Sequence, residues 1–280
     1  MKVLVTGGAG RLGAKVVASL VDRGHHVNVF DLPQANYSHV GSLPNVDIFR
    51  GDITSLESLK AACEGVDASI HLAAILPPHS ERDIERTALV NVTGTAKLVE
   101  ALELTSSAPL VFSSSVCVYG LTQAEKAPIT TSHPLVPSDN YSKSKIMAEE
   151  VVRSSGIKST ILRVSAVYAA EPFEFPSPVQ FKADQRVEFI DRDDVVTAIV
   201  AAVESNVHGS ILNIAGGESW RMIGEHFVAG IFDAFGFGGE VNYPSDYGYF
   251  DWYDTDDSQR LLNYQRTSFT QFKKKLAKIF

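Results

Sequence analysis

Short apolar runs alternate with longer segments whose apolar residues recur every three or four positions along much of the chain. Lys2 to Val5 reads as a buried strand, and Arg11 to Arg23 carries Leu12, Val16, Val17 and Leu20 at helical spacing. A second strand is predicted over His26 to Phe30, a third over Val46 to Phe49, a helix over Ser55 to Glu64 and a strand over Asp67 to Ala74. Asp83 to Leu104 has the period of one long helix, and Leu110 to Ser114 that of the next strand. Later elements are a helix opening at Tyr141, a helix over Val195 to Glu204, a strand over Ile211 to Ala215, a helix over Trp220 to Phe235 and an amphipathic tail from Phe269 to Phe280. Strands alternating with helices in this way predict an α/β fold with a doubly wound parallel sheet.

Composition narrows the setting. With 280 residues the chain can bury a substantial core without staples. Cys63 and Cys117 show no metal-type spacing, so they are expected as reduced thiols, and no metal site is proposed. No stretch reaches the roughly 18 apolar residues of a membrane span, and no signal-peptide pattern opens the chain. A formal charge of −8 argues against nucleic acid as a partner. The expectation is a soluble cytoplasmic protein with neither a membrane nor a nucleic-acid partner.

The first strand breaks into Thr6-Gly-Gly-Ala-Gly-Arg-Leu-Gly13 before the first helix begins. Glycines there allow a tight turn, close approach of backbone N–H groups to a pyrophosphate, and an anion at the positive end of the helix. Two registers fit, Gly8-x-Gly10-x-x-Gly13 and Gly7-x-x-Gly10-x-x-Gly13. The second strand runs into Asp31, eighteen residues after Gly13, where a carboxylate can accept hydrogen bonds from both hydroxyls of a ribose. It would also repel a 2′-phosphate, so NAD is expected rather than NADP.

Further candidates fall at strand ends. Asp52 either caps the helix that follows or reaches the adenine edge. The small residues closing the fourth strand leave room for a cofactor. Ser113-Ser-Ser115 stands at the carboxyl end of its strand, the ligand edge of such sheets. Tyr141 and Lys145, four residues apart, share one helical face. A phenol titrates near 10, too high for a base at neutral pH, and a neighbouring ammonium lowers it.

Taken with Gly51-Asp52-Ile53, His71-Leu-Ala-Ala74, Asn91-Val-Thr-Gly-Thr95, Phe112-Ser-Ser-Ser-Val-Cys-Val-Tyr-Gly120 and Leu162-Arg-Val-Ser-Ala-Val-Tyr168, these motifs make the chain resemble an extended short-chain dehydrogenase/reductase of the NAD-dependent epimerase/dehydratase family. The resemblance implies a Rossmann domain over 1–168, rejoined by 187–215, and a small substrate lobe over 169–186 and 216–280. It implies that Tyr141 is the acid/base, that Lys145 also holds the nicotinamide ribose, and that Ser115 polarises the substrate oxygen. NAD contacts are implied for Gly7, Gly10, Arg11, Leu12, Gly13, Asp31, Asp52, Ile53, Leu72, Ala73, Ala74, Asn91, Ser113, Tyr141 and Lys145. With the partners present, Gly7, Gly10 and Gly13 are the expected register, and a homodimer joined through two helices of each subunit is implied.

Departures from the family pattern bear on the reaction. Dehydratases of this kind carry an Asp-Glu pair directly after the catalytic Ser or Thr; here Val116 and Cys117 stand there, so dehydration is not expected. The family's Arg-Asp-Phe-Ile appears as Arg186-Val-Glu-Phe-Ile190, with the arginine one position early. No arginine lies near Pro244 to Asp246, where such enzymes grip a diphosphate, leaving Arg163, Arg192 and Arg221 as possible substitutes. Tyr243 to Tyr253 is aromatic and acidic, suited either to packing or to a sugar ring. Asp191-Arg-Asp-Asp194 reads as helix-start acids rather than metal ligands, and the tail as a docked helix rather than a membrane-surface one. The expected function is an NAD-dependent epimerase acting on a nucleotide sugar. The alternatives are a dehydrogenase of a free sugar or sugar acid, and a non-catalytic NAD-responsive binding protein.

Overall fold

The computed structural model describes residues 1–172, 177–236 and 238–279. In chain order the elements are β1 (Lys2–Thr6), α1 (Arg11–Asp22), β2 (His26–Asp31), β3 (Val46–Arg50), α2 (Leu56–Cys63), β4 (Ala68–His71), α3 (His79–Arg82), α4 (Ile84–Ala88), α5 (Gly94–Thr105), β5 (Leu110–Ser115), α6 (Asn140–Ser154) and β6 (Ser159–Val164). After these come β7 (Val167–Tyr168), β8 (Arg186–Val187), β9 (Ile190–Asp191), α7 (Arg192–Glu204), β10 (Ile211–Ile214), β11 (Met222–Ile223), α8 (Gly224–Phe235), α9 (Asp256–Leu262) and α10 (Phe269–Leu276).

Seven strands form one sheet in the order β10-β6-β5-β4-β1-β2-β3. The order reverses at β1, with β2 and β4 on its two sides, and ligands of such sheets bind where that reversal opens a crevice at the strands' carboxyl ends. The parallel register aligns those ends: Thr6 pairs with Phe30 and with His71, His71 with Phe112, and Asp31 with Arg50. Gly7 and Leu72 therefore leave the sheet at one edge, where β5 continues through Ser113 to Ser115 and β2 ends in Asp31.

The chain divides into two compact units, the first comprising Met1–Ser115, Asp139–Leu162 and Ile199–Ile211. In it Leu4, Phe30, Leu59, Leu98, Leu102, Leu110, Phe112 and Ala148 share one buried cluster. The expected long helix of residues 83–104 is interrupted: α4 passes through a π turn at Leu89–Thr93 before α5 begins. Asp52 does not cap α2. Its carboxylate accepts from the Thr54 N–H and hydroxyl, and Ser55 is the cap.

The second unit comprises Val116–Ser138, Arg163–Ala198 and Leu212–Phe280. Its core gathers Phe181, Phe189, Trp220, Phe227, Phe250, Phe269 and Phe272. The helix expected from Trp220 starts later, because Gly217 (φ +76°) opens a 3₁₀ turn and Met222–Ile223 pairs with β8 before α8 begins at Gly224. The tail docks as expected: Phe269, Phe272 and Leu276 of α10 are buried in this core, and Ser268 with Gln271 forms a capping box worth about 1 kcal/mol. Phe280 lies outside the described residues. No helix among the described residues is long and apolar enough to cross a membrane.

Candidate active site

The turn after β1 is built by glycines with separate duties. Gly7 has φ +71°, and a Cβ on it would lie 2.7 Å from the Ala73 nitrogen. A Cβ on Gly13 would lie 2.1 Å from the Gly7 carbonyl oxygen. Neither position tolerates a side chain without moving the backbone. Gly10 is the N-cap residue of α1 and, lacking a side chain, supplies no cap, and there is no acid in the first turn. Gly8 is buried under Val5 and Val29, which makes it a packing glycine. Arg11 is exposed at the start of α1, and Leu12 is half-buried.

Asp31 anchors this turn from the next strand. One carboxylate oxygen accepts from the Ala9 N–H at 3.0 Å and the other from the Leu32 N–H at 2.8 Å. Each oxygen keeps a lone pair for a ligand hydroxyl. The Tyr37 hydroxyl donates to the Asp31 and Leu32 carbonyls, and Arg50 sits 4.6 Å over the Tyr37 ring. An uncapped helix start, a cradle that a Cβ would fill and a carboxylate with spare acceptors together suit a dinucleotide.

The remaining candidates divide into open and buried ones. Leu72, Ala73 and Ala74 follow β4 half-buried, and Asp52 is exposed. Ile53 is 5% exposed and packs beneath Gly94, where a Cβ would meet its Cγ2 at 2.8 Å. Asn91, in the π turn, is buried. Its Oδ1 accepts from the Ile75 N–H, and its Nδ2 donates to the Ile75 carbonyl and to the Ser144 hydroxyl. The structure places Asn91 as a clamp between the segment after β4 and helix α6.

That clamp extends into a chain of hydrogen bonds within the first unit. Ser144 donates to the Tyr141 carbonyl at 2.7 Å. In the other direction Thr95 donates to the Asn91 carbonyl, so its oxygen accepts from His71 Nε2–H at 3.0 Å. His71 Nδ1 then accepts from the Thr6 hydroxyl at 2.7 Å. Burial, then the Lys145 ammonium, pushes the His71 pKa down to about 3, so this imidazole is neutral under ordinary conditions.

Helix α6 presents Tyr141 and Lys145. Its start is unusually well held: Asp139 and Ser142 form a capping box, and Glu81 of α3 accepts the Asn140 and Tyr141 N–H groups at 3.0 Å each. Burial pushes the Glu81 carboxyl up, but the Asn140 N–H, the Ser80 hydroxyl and the Tyr141 N–H outweigh it and leave its pKa lowered. Tyr141 is half-buried at the first turn. Lys145, one turn on, is 5% exposed with its Nζ 4.5 Å over the Phe112 ring. On β5, Ser113 and Ser115 are half-buried, and Ser114 between them is buried and donates to Glu149 of α6. The strand end and the helix face are thus docked on each other through Phe112–Lys145 and Ser114–Glu149.

The model of the "NAD dependent epimerase/dehydratase family" matches residues 3–182. The chain belongs to that family. A UDP-glucose 4-epimerase of Lactobacillus helveticus is 37% identical over 177 residues, covering 61% of this chain and 53% of that protein. A 3 beta-hydroxysteroid dehydrogenase/Delta 5→4-isomerase of Mycobacterium tuberculosis is 33% identical over 182 residues, covering 60% of this chain and 47% of that protein. The chain thus spans about half the length of the curated relatives it matches. A solved short-chain dehydrogenase/reductase superfamily protein of Agrobacterium tumefaciens with bound NAD has the same fold, with a TM-score of 0.84 at 24% identity over 100% of this chain and 97% of that one.

In the second unit of this family member, the arginines weighed as phosphate ligands are committed internally. Arg163 is buried and donates to the Tyr119 hydroxyl and the Thr131 carbonyl, both at 3.0 Å. Arg192 pairs with Glu171 at 2.8 Å. Arg221 pairs with Glu188 at 3.0 Å and donates to the Tyr253 carbonyl. Arg186, the displaced arginine of the family string, grips the buried Asp251 through Nε at 2.6 Å and Nη2 at 2.9 Å. Removing the half-buried Arg186 would leave the buried Asp251 carboxylate without this ion-pair partner.

The aromatic segment 243–253 is largely structural. Phe250 and Tyr253 are buried, Tyr243 and Tyr249 pack on the unit's core, and Tyr247 is exposed with Lys182 4.2 Å over its ring. The aspartates at the end of β9 and the start of α7 are also spoken for: Asp191 accepts from Lys275, and Asp194 from the Arg266 and Thr267 N–H groups. Among the described residues no acid, histidine or cysteine cluster has the make-up of a metal site. Sequence reasoning missed Glu81 and Glu149. Glu81 leaves no signal in the chain, whereas Glu149 continues the four-residue spacing of Tyr141 and Lys145.

Proposed function

We propose that the protein is an NAD-dependent enzyme that oxidises a secondary alcohol of a sugar-like substrate, with Tyr141 as the acid/base. The observation that carries this reading is the buried Lys145, held over Phe112 one helical turn from a half-buried Tyr141, on a helix docked against the strand that ends in Ser115. An ammonium so placed favours the phenolate, which brings a group titrating near 10 toward working pH. Tyr141 takes the proton of the substrate hydroxyl, and the Ser115 hydroxyl donates a hydrogen bond to the same oxygen. NAD, when bound, supplies the hydride acceptor. Gly7, Gly10 and Gly13 with the start of α1 hold its pyrophosphate, Asp31 its adenosine ribose, and Lys145 its nicotinamide ribose. Arg11, Leu12, Asp52, Ile53, Leu72, Ala73, Ala74, Asn91 and Ser113 complete the proposed cofactor contacts, with Asn91 acting by shaping the segment after β4.

The name of the Lactobacillus helveticus relative supports a nucleotide-sugar epimerase, in which hydride returns to the other face of the substrate and no NADH is released, whereas that of the Mycobacterium tuberculosis relative supports a dehydrogenase. A dehydrogenase acting on an alcohol without a diphosphate is favoured by a different observation, the internal pairing of Arg163, Arg192 and Arg221. Dehydration is disfavoured by Val116 and Cys117, both buried in the 3₁₀ turn after Ser115. Incubation with NAD and a panel of UDP-sugars, free sugars and sugar acids separates the first two: stoichiometric NADH rules out simple epimerisation, and product epimer without NADH rules out the dehydrogenase. Tyr141→Phe is expected to lower turnover by about 10²–10⁴-fold while NAD affinity is kept. Undiminished turnover in that variant excludes the mechanism.

A further inference from the structure

Between the two outward serines of β5, Ser114 is 3% exposed and its hydroxyl donates to Glu149 Oε1 at 2.5 Å. Glu149 is itself 1% exposed. It lies on the face of α6 that carries Tyr141 and Lys145, one turn beyond the lysine. A buried ammonium gives up its proton unless a counter-charge opposes desolvation, and a buried carboxylate has the reciprocal need. The Phe112 ring face supplies Lys145 with part of that compensation. His71 on β4 cannot, being neutral.

The other ionisable groups on α3, α4 and α5, which pack against α6, are either engaged elsewhere or exposed. On α5, Lys97 pairs with Glu100 and Glu103 accepts the Gly156 N–H. On α3 and α4, Glu81 holds the Asn140 and Tyr141 amides, and His79, Arg82, Glu85 and Arg86 are exposed.

We propose that Glu149 is a positioning residue: its carboxylate keeps Lys145 in the ammonium form, and through Ser114 it fixes strand β5 on helix α6 so that Ser115 and Tyr141 hold one geometry. The inference rests on Tyr141 being the acid/base, and it adds the group that sustains the cation beside it.

The test is a tyrosinate absorbance titration of the full chain, read as the difference between each protein and its Tyr141→Phe counterpart, together with the pH dependence of turnover. Glu149→Gln keeps an acceptor for Ser114 but removes the charge. Lys145 then deprotonates more readily, and Tyr141 is expected to titrate about one pH unit higher, with turnover near neutral pH about tenfold lower and recovering as pH rises. Glu149→Asp, which retains the charge, is expected to titrate near the wild-type position. A Tyr141 titration that does not move in Glu149→Gln, or that moves down as simple removal of a negative charge would cause, overturns the proposal. Should Glu149→Gln fail to fold, Ser114→Ala is the arbiter: at least about tenfold lower kcat with unchanged NAD affinity supports the docking role, and unchanged kcat overturns it. If the wild-type difference titration shows no Tyr141 ionisation below that of ordinary tyrosine, it is the acid/base reading that fails, whatever the Glu149 variants do.

Discussion

Asp31 illustrates what a single residue type at a single position decides. Its two carboxylate oxygens already hold the Ala9 and Leu32 amides, so the side chain is oriented before any ligand arrives. Ribose hydroxyls would meet a fixed, negatively charged acceptor, and hydrogen bonds to charged groups contribute about 1.5–3 kcal/mol. Arg50 occupies the paired position on the neighbouring strand and lies over Tyr37. Replacing Asp31 with Ser removes the charge that repels a 2′-phosphate and leaves that guanidinium nearby. Asp31→Ser is therefore expected to lose about 10- to 100-fold in NAD affinity and to gain NADP binding, measured by titration with each dinucleotide. Unaltered NAD affinity would place the ribose elsewhere. This residue was legible in the sequence because its location depends only on where β2 ends. Glu81 was not legible, because its task depends on α3 meeting the start of α6 across 59 residues of chain, a contact no local pattern records.

Elements were legible where their period was strong and blurred where tertiary contacts overrode it. The π turn inside the expected long helix has no periodic signature. It keeps Asn91 facing Ile75 and Ser144 at once, and such insertions are frequent at functional sites. Similarly, Gly217 and the pairing of Met222–Ile223 with β8 delay the start of α8, a choice made by the core of the second unit and not by propensity. In the glycine turn, sequence spacing placed three residues but could not rank them, whereas geometry can. A methyl on Gly13 would collide with backbone at 2.1 Å, while one on Gly10 would meet the Gly7 oxygen at 3.2 Å. Gly13→Ala should force α1 away from β1, lowering the melting temperature and NAD affinity together. Gly10→Ala should cost much less stability. Thermal unfolding with and without NAD checks both, and equal losses in the two variants would mean that α1 shifts freely and the cradle is not rigid.

At the scale of the molecule, the chain carries a formal charge of −8, yet an early acid response is predicted from a neutral group inside the first unit. His71 joins β1 through Thr6 to α5 through Thr95, and onward through Asn91 and Ser144 to the backbone of Tyr141. Burial, then Lys145, lowers its pKa from 6.5 to about 3. Between those two values the unfolded chain binds a proton that the folded chain refuses, so stability rises with pH across that window and falls as pH drops below 6.5. One such group accounts for up to about 1.4 kcal/mol per pH unit, or about 2 kcal/mol between pH 7 and pH 5. Urea unfolding at pH 7 and pH 5 should show that loss in the wild type, and His71→Asn, which does not titrate there, should lose less by about the same amount. If both proteins lose stability equally, His71 takes up its proton without unfolding, and the neutral imidazole bridging Thr6 and Thr95 is not what makes the first unit acid-sensitive.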